Sequence, residues 1–232
     1  MPSWNIHTAH VERLLREADA LSLGIRDTNC FLFGNFVPDI YVGWMVPDIS
    51  HKIDYCTTHW AHLTSIPVSS YQSFWNAYIA GHEPSEVLDV TLGAWAHLVC
   101  DAGYNTATRH YIATIGVKPS DQTRIRKEND FELYGRTYTL HMGVKLTDTL
   151  VQQCARFPQY TIEKSDVVNT VAVADTIVEK NNAEHLNQVP AYDMLTPEFF
   201  KTTSDAVNTT LLAGLKKIGS GKRIERVDVP KI

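Results

Sequence analysis

Two side chains that commonly bind metals, His97 and Asp101, lie four residues apart in the otherwise apolar stretch Pro84–Asp101. Residues at this spacing share one face of an α-helix, so the imidazole and the carboxylate can reach the same ion. Burying both groups in an apolar helix costs free energy unless a partner compensates them. The sequence therefore favours a metal site here, and a hydrogen-bonded His–Asp pair inside a core is the simpler alternative.

Other ligand-type residues lie in the preceding part of the chain. Seven of the ten histidines lie at or before residue 97, and Asp39 follows Pro38 in the apolar segment FGNFVPDI. Imidazole nitrogen and carboxylate oxygen suit Zn²⁺, or Mn²⁺ and Fe²⁺ where oxygen ligands dominate. Helical proteins gather such ligands from several helices into the bundle interior.

The elements that must position these residues are predicted to be helices. The stretch Pro84–Asp101 has the signals of a nearly buried helix: Pro and Ser at its start, acidic residues in its first turns, and a broad apolar band. Helical spacing also predicts helices over residues 8–23, 70–80, 106–115, 121–134, 146–157, 162–180 and 197–218. Pro38 should end any helix before it and present Asp39 on a turn.

We therefore expect an all-α protein, with a single-domain multi-helix bundle over residues 1–218 and a flexible or loosely docked tail over 219–232. Apolar residues make up 44% of the chain and charged residues 20%, which predicts a packed core rather than disorder. The net charge of −5 and the lack of a long basic run argue against an extended nucleic-acid surface. No apolar run reaches a membrane-spanning length and no signal peptide is evident, so we expect a cytoplasmic protein. The sequence does not predict an oligomeric state.

The ordered set His7, FGNFVPDI with Asp39, Thr58-His59, and LGAWAHLVCD with His97 and Asp101 resembles the zinc-dependent phospholipase C superfamily. This superfamily also contains single-strand nucleases, and the resemblance is greatest to its uncharacterised bacterial branch. It covers roughly residues 1 to 135. It implies a helical bundle of the phospholipase C and nuclease type.

The resemblance also implies a metal-ligand set. In the superfamily an Asp, a His and a His-x-x-x-Asp pair hold one metal, which corresponds here to Asp39, His59, His97 and Asp101. A histidine near the N-terminus shares the same Asp to bind a neighbouring metal, and His7 is the matching residue. No later His-x-x-x-Glu or His-x-x-x-Asp pair follows Asp101, so one or two ions are expected, Zn²⁺ first and Mn²⁺ or Fe²⁺ as alternatives.

The activity implied is metal-assisted hydrolysis of a phosphoester, either a phosphodiester or a phospholipid head group. Asp130 in KENDFELYG is a candidate acid–base residue or ligand. Three arginines, Arg109, Arg124 and Arg126, are candidates to bind the phosphate, because a guanidinium matches phosphate oxygens two at a time.

Two alternatives to this function stay open. Helical nucleotide phosphohydrolases of the HD-domain type also use His and Asp ligands, although this chain has no adjacent His-Asp dipeptide. The missing later ligand pair favours a third reading, in which the same scaffold is a non-catalytic metal-binding or structural module.

Overall fold

The computed structural model describes residues 2–229, and the all-α prediction is confirmed for this part of the chain. No strand occurs in it; one isolated β-bridge joins Ala61 and Ser69. The helices are α1 (Trp4–Glu17), α2 (Thr28–Gly34), α3 (Val37–Ile40), α4 (Tyr55–Thr58), α5 (Tyr71–Tyr78), α6 (Asp89–Thr114), α7 (Asp121–Gly135), α8 (Asp148–Ala155), α9 (Lys164–Ala183) and α10 (Pro197–Gly219). No described helix is long and apolar enough to cross a bilayer.

The central element is α6, which is buried along most of its length and packs against α2, α3, α5, α8 and α10. The predicted start at Pro84 is wrong, because residues 84–86 form a separate 3₁₀ turn with a capping box between Glu83 and Glu86. The helix itself begins at Asp89.

The helix predicted separately over residues 106–115 is the second half of α6, which continues without a break to Thr114. Gly103 lies inside α6 and does not end the helix; it provides space for a neighbouring helix. A Cβ on Gly103 would lie 2.4 Å from Cγ2 of Val207 on α10, so the missing side chain lets the two helices approach closely.

Helices α2 and α6 approach each other closely in the core. A Cβ on Gly93 would lie 2.1 Å from the carbonyl oxygen of Phe31, and a Cβ on Gly34 would lie 2.3 Å from that of Val90. These distances require glycine on both helices. The crossing brings the end of α2, and the residues that follow it, against the middle of α6.

The segment around Asp39 forms a short helix where the sequence predicted a turn. Val37–Ile40 form the short helix α3, with Pro38 in its first turn and Asp39 beside it. Proline is compatible with the first turn of a helix, where its missing N–H has no intrahelical partner.

The remaining predicted helices are confirmed, with shifts of a few residues at their ends. The largest shift is in the first, which begins at Trp4 and ends at Glu17, with a separate 3₁₀ turn at Leu21–Leu23. After α10 the chain returns to α5: Ile224 is buried, the Trp75 indole donates to the Glu225 carbonyl oxygen, and Asn76 exchanges two hydrogen bonds with Val227.

A candidate metal centre

Five ligand-type side chains meet at the centre of the bundle: His7, Asp39, His59, His97 and Asp101. We call them the His/Asp cluster. His7 comes from α1, Asp39 from α3, His59 from the residue after α4, and the last two from α6. His7, His59, His97 and Asp101 are 0–1% exposed, and Asp39 is 8% exposed.

The cluster is compact enough for one cation to touch several members. Ligand atoms of His7, His97 and Asp101 lie within 4.8 Å of one another, as do those of Asp39, His59 and His97. His97 belongs to both groups. The two groups are therefore halves of one site and share an imidazole.

His97 is oriented by the close approach of α2. Its Nδ1 lies 2.8 Å from the carbonyl oxygen of Asn35, and its ring stacks on His7 with 4.1 Å between centroids. A carbonyl oxygen only accepts hydrogen bonds, so Nδ1 carries the proton. The Nε2 atom of His97 is left to face the cluster.

Hydrogen bonding also determines which ring nitrogen of His59 carries the proton. Its Nδ1 lies 2.9 Å from the hydroxyl of Thr58, and that hydroxyl donates to the carbonyl oxygen of Tyr55, so Nδ1 of His59 is the donor to it. The Tyr55 ring stacks on His59 at 3.9 Å between centroids. The Nε2 atom of His59 therefore also faces the cluster.

Electron-rich atoms thus converge on one point. The two Nε2 atoms of His59 and His97 are 3.2 Å apart, and Nε2 of His59 lies 3.3 Å from Oδ1 of Asp39 and 3.6 Å from Oδ2 of Asp101. Two lone pairs and two carboxylates at these distances repel one another unless a proton or a metal ion lies between them. Both ring nitrogens of His7 and Oδ1 of Asp101 also have no hydrogen-bond partner among the described residues. This set of buried, unsatisfied ligand atoms fits a divalent cation.

Without a metal ion, the electrostatics favour one extra proton. Burial opposes charge on His97, but the carboxylates of Asp101 and Asp39 outweigh it and raise its pKa to about 9. Burial likewise opposes charge on Asp101, yet His97, His7 and His59 hold the pKa of its carboxyl well below its usual range. His7 has a lowered pKa, because burial and the neighbouring His97 both disfavour a charge on it. A proton on His97 thus occupies the place that a cation would take.

Asp39 joins the cluster to an open cavity. Its Oδ2 accepts a hydrogen bond of 2.8 Å from the indole Nε1 of Trp4, which leaves Oδ1 facing His59. Asp39 also lines a cavity of about 610 Å³ together with Tyr55 and residues of α6 and α7. This volume is typical of a small-molecule site. We call it the Asp39 cavity.

Asp130, the candidate acid–base residue, lies in neither ligand group of the cluster. Its carboxylate accepts backbone N–H hydrogen bonds from Asp193, Met194 and Leu195 at 2.7–2.8 Å. Three such bonds engage both carboxylate oxygens and stabilise the segment that leads into α10. The structure thus gives Asp130 a structural role outside the cluster, and its predicted acid–base role stays a prediction.

The three arginines predicted to bind phosphate are each engaged by a protein partner. The pairs are Arg109 with the Ile66 carbonyl oxygen at 2.6 Å, Arg124 with Glu128 at 2.9 Å, and Arg126 with Asp193 at 2.9 Å. Each contact uses only some of the five guanidinium N–H donors, and of the three arginines Arg124 alone is among the residues that line the Asp39 cavity.

Sequence reasoning missed three residues that support the cluster. Asn35 acts through its backbone oxygen, which no residue pattern reveals, although it lies inside FGNFVPDI. Trp4 precedes His7 by three residues, and this helical spacing indicates that the two side chains lie on one face of α1. Tyr55 precedes His59 by four residues and carried no signal of its own.

Comparison with protein-family models gives no match. No curated protein matches the chain, and no solved structure matches its fold. The resemblance to the zinc-dependent phospholipase C superfamily therefore rests on the motifs alone. The His/Asp cluster is independent of that resemblance, because it is defined by distances within this chain.

Proposed function

We propose that the protein is a metal-dependent phosphoester hydrolase in which the His/Asp cluster binds at least one divalent cation, with Zn²⁺ first among the candidates. The observation that supports this most directly is the convergence of His59 Nε2 and His97 Nε2, 3.2 Å apart, beside the carboxylates of Asp39 and Asp101. A buried site with two imidazoles and two carboxylates suits Zn²⁺, and also Mn²⁺ or Fe²⁺.

The chemistry follows from the position of the cluster beside the Asp39 cavity. When bound, a divalent cation supplies Lewis acidity and activates water for attack on a phosphorus centre. Asp39 is the cluster member that lines the cavity, so we expect a substrate to approach from its side. Trp4 holds the Asp39 carboxylate in place, and the Asn35 carbonyl oxygen and the Thr58 hydroxyl fix the two imidazoles.

The substrate class is a small phosphoester, such as a phosphodiester or a phospholipid head group. The cavity has the volume for one such group. The net charge of −5 fits a small substrate better than a long nucleic acid.

Metal analysis of the full chain tests the first half of the proposal. Protein stripped with a chelator and reconstituted with Zn²⁺, Mn²⁺ or Fe²⁺ should retain at least about one equivalent of metal. His97→Ala should lower this below one equivalent while circular dichroism shows that the helices persist. His82→Ala is the matched control, because the His82 side chain is 51% exposed and outside the cluster. A wild-type protein that retains no metal would refute the metal site.

A panel of phosphodiesters, phospholipids and nucleotides tests the second half. The metal-loaded protein should hydrolyse at least one member, and His97→Ala should remove that activity. If the loaded protein hydrolyses none of them, the cluster is a structural metal site and the hydrolase proposal fails.

A further inference from the structure

One wall of the Asp39 cavity is formed by the buried face of α7. Thr123, Lys127, Phe131 and Tyr134 recur at helical spacing on this face and are all buried. Three of them are residues commonly found in a core or at a helix start. Lys127 is the exception, because its side chain is charged and only 8% exposed.

No carboxylate neutralises this lysine within the described part of the chain. Arg124 and Arg126 on the same helix, and Arg136 directly after it, all have carboxylate partners within 4.0 Å, whereas Lys127 has no ion pair or hydrogen bond to a described residue. The stem of Lys127 is buried, but its Nζ atom keeps some solvent exposure, so a ligand can reach an ammonium that has no counter-charge beside it. The Lys127 side chain lines the Asp39 cavity, where a ligand can supply the missing negative charge.

Residues of α6 that line the same cavity offer polar atoms that also lack partners. Asn105 and Thr108 follow Asp101 on α6 by four and seven residues, so the three share one helix face and lead from the His/Asp cluster into the cavity. The Oδ1 atom of Asn105 and the Oγ1 atom of Thr108 are buried and have no hydrogen-bond partner among the described residues. Both residues line the same cavity as Lys127.

The electrostatic setting at the α7 end of the cavity also favours an anion. Ser120, Asp121 and Thr123, at the N-terminus of α7, line the cavity, and this end of a 15-residue helix bears partial positive charge. The nearby carboxylates of Asp121 and Glu128 share one partner, Arg124, so that Arg124 and Lys127 together balance their two negative charges. Lys127 lies about one and a half turns into this helix.

We propose that Lys127 is the anion-binding residue of the Asp39 cavity and that its ammonium binds a phosphate oxygen of the substrate. This inference rests on the proposed phosphoester hydrolysis and specifies how such a substrate is recognised. It selects substrates whose anionic phosphate reaches Lys127, and it disfavours neutral esters of the same size. Arg124, one of the three arginines predicted to bind phosphate, lines the same cavity, where it is paired with Asp121 and Glu128.

Calorimetric titration of the Zn²⁺-loaded full chain with inorganic phosphate tests the proposal. Lys127→Met keeps most of the aliphatic stem and removes the charge, and it should weaken phosphate binding about ten- to hundredfold. Lys127→Arg should bind within about threefold of wild type, since it keeps a charged donor. Lys180→Met, an exposed lysine on α9, is the matched control and should bind phosphate as wild type does. Neither Lys127→Met nor the control should change the zinc content.

Two results would overturn the proposal: Lys127→Met binding phosphate as tightly as wild type, or wild type not binding phosphate at all. Zinc content, measured on every sample, separates this outcome from failure of the metal site. If zinc is not retained, the same titration on metal-free protein still reports the contribution of Lys127.

If Lys127→Met does not fold, NMR of the lysine side chains in the wild-type protein replaces the titration of this variant. Phosphate should then shift the Lys127 signal, assigned with Lys127→Arg, and leave that of Lys180 unchanged; an unshifted Lys127 signal would refute the proposal.

Discussion

Gly34 and Gly93 are in backbone contact where α2 crosses α6, so closely that a Cβ on Gly93 would lie 2.7 Å from Cα of Gly34. Asn35 directly follows Gly34, and His97 lies one helical turn beyond Gly93. The crossing therefore sets the 2.8 Å hydrogen bond between the Asn35 carbonyl oxygen and Nδ1 of His97. A packing feature of the core thus orients a candidate metal ligand.

This relationship predicts the effect of Gly93→Ala. The added methyl group would meet the Phe31 carbonyl oxygen, so α2 must move and carry Asn35 away from His97. We expect the free energy of unfolding to fall by about 1–3 kcal/mol or more and the affinity for Zn²⁺ to fall with it. Chemical denaturation and metal titration measure the two effects. Gly143→Ala, whose Cβ would meet nothing closer than 3.5 Å, is the control and should change neither; equal effects in both variants would contradict the argument.

Zinc binding should displace a proton from the cluster. In the metal-free protein the pKa of His97 is about 9, so this imidazole is protonated at pH 7. An imidazole binds metal only in its neutral form, so loading should release about one proton from His97, and the apparent affinity should rise about tenfold per pH unit up to pH 9. Calorimetry at pH 7 in two buffers of different ionisation enthalpy measures the protons released. In His97→Ala the number of protons released per zinc ion bound should fall by about one; unchanged release per ion would refute the assignment.

A second histidine on α1, His10, should make the protein sensitive to acid. It is buried beside the Tyr104 hydroxyl, and burial, followed by the charges of His7 and Arg13, lowers its pKa from 6.5 to about 3. The unfolded chain therefore binds a proton before the folded one does. This contribution to stability is fully present above pH 6.5 and is lost as the pH falls toward 3.

The expected loss from His10 between pH 7 and pH 5 is about 2 kcal/mol of unfolding free energy. His10→Gln keeps a polar partner for Tyr104 and removes the titration. Urea denaturation of both proteins at the two pH values gives the difference, in which the other titrating groups cancel. Identical pH dependence in the two proteins would show that His10 takes up its proton as easily when folded as when unfolded.

Asp130→Asn should reduce stability and leave metal binding intact. The change removes the charge from an acceptor of three backbone N–H hydrogen bonds, so we expect unfolding to become easier by about 2–4 kcal/mol. Thermal or urea denaturation measures this, and zinc content should stay at the wild-type value. Asp175→Asn, at an exposed position on α9, should be neutral. Loss of activity with full stability would instead support the predicted catalytic role of Asp130.

The residue pattern determined the fold class and most of the helices, because apolar periodicity and capping residues act over a few positions. The helix over Lys164–Ala183 forms despite its many β-branched residues, since tertiary packing outweighs their weak local preference. The long helix α6 was predicted as two helices. The packing of Val207 against Gly103 joins residues about a hundred positions apart, so the local sequence does not show that the helix continues through Gly103.

The sequence by itself also supplied the five ligand-type residues of the cluster, since their chemical types and order are visible in the chain. Only the tertiary structure decided that His59 and His97 direct their Nε2 atoms at each other, because the groups that orient them include a backbone oxygen from another helix. It likewise decided that both carboxylate oxygens of Asp130 accept hydrogen bonds while the Lys127 ammonium has no partner among the described residues. The sequence shows which side chains are charged. Whether a charge is neutralised depends on which distant groups lie next to it in the folded protein.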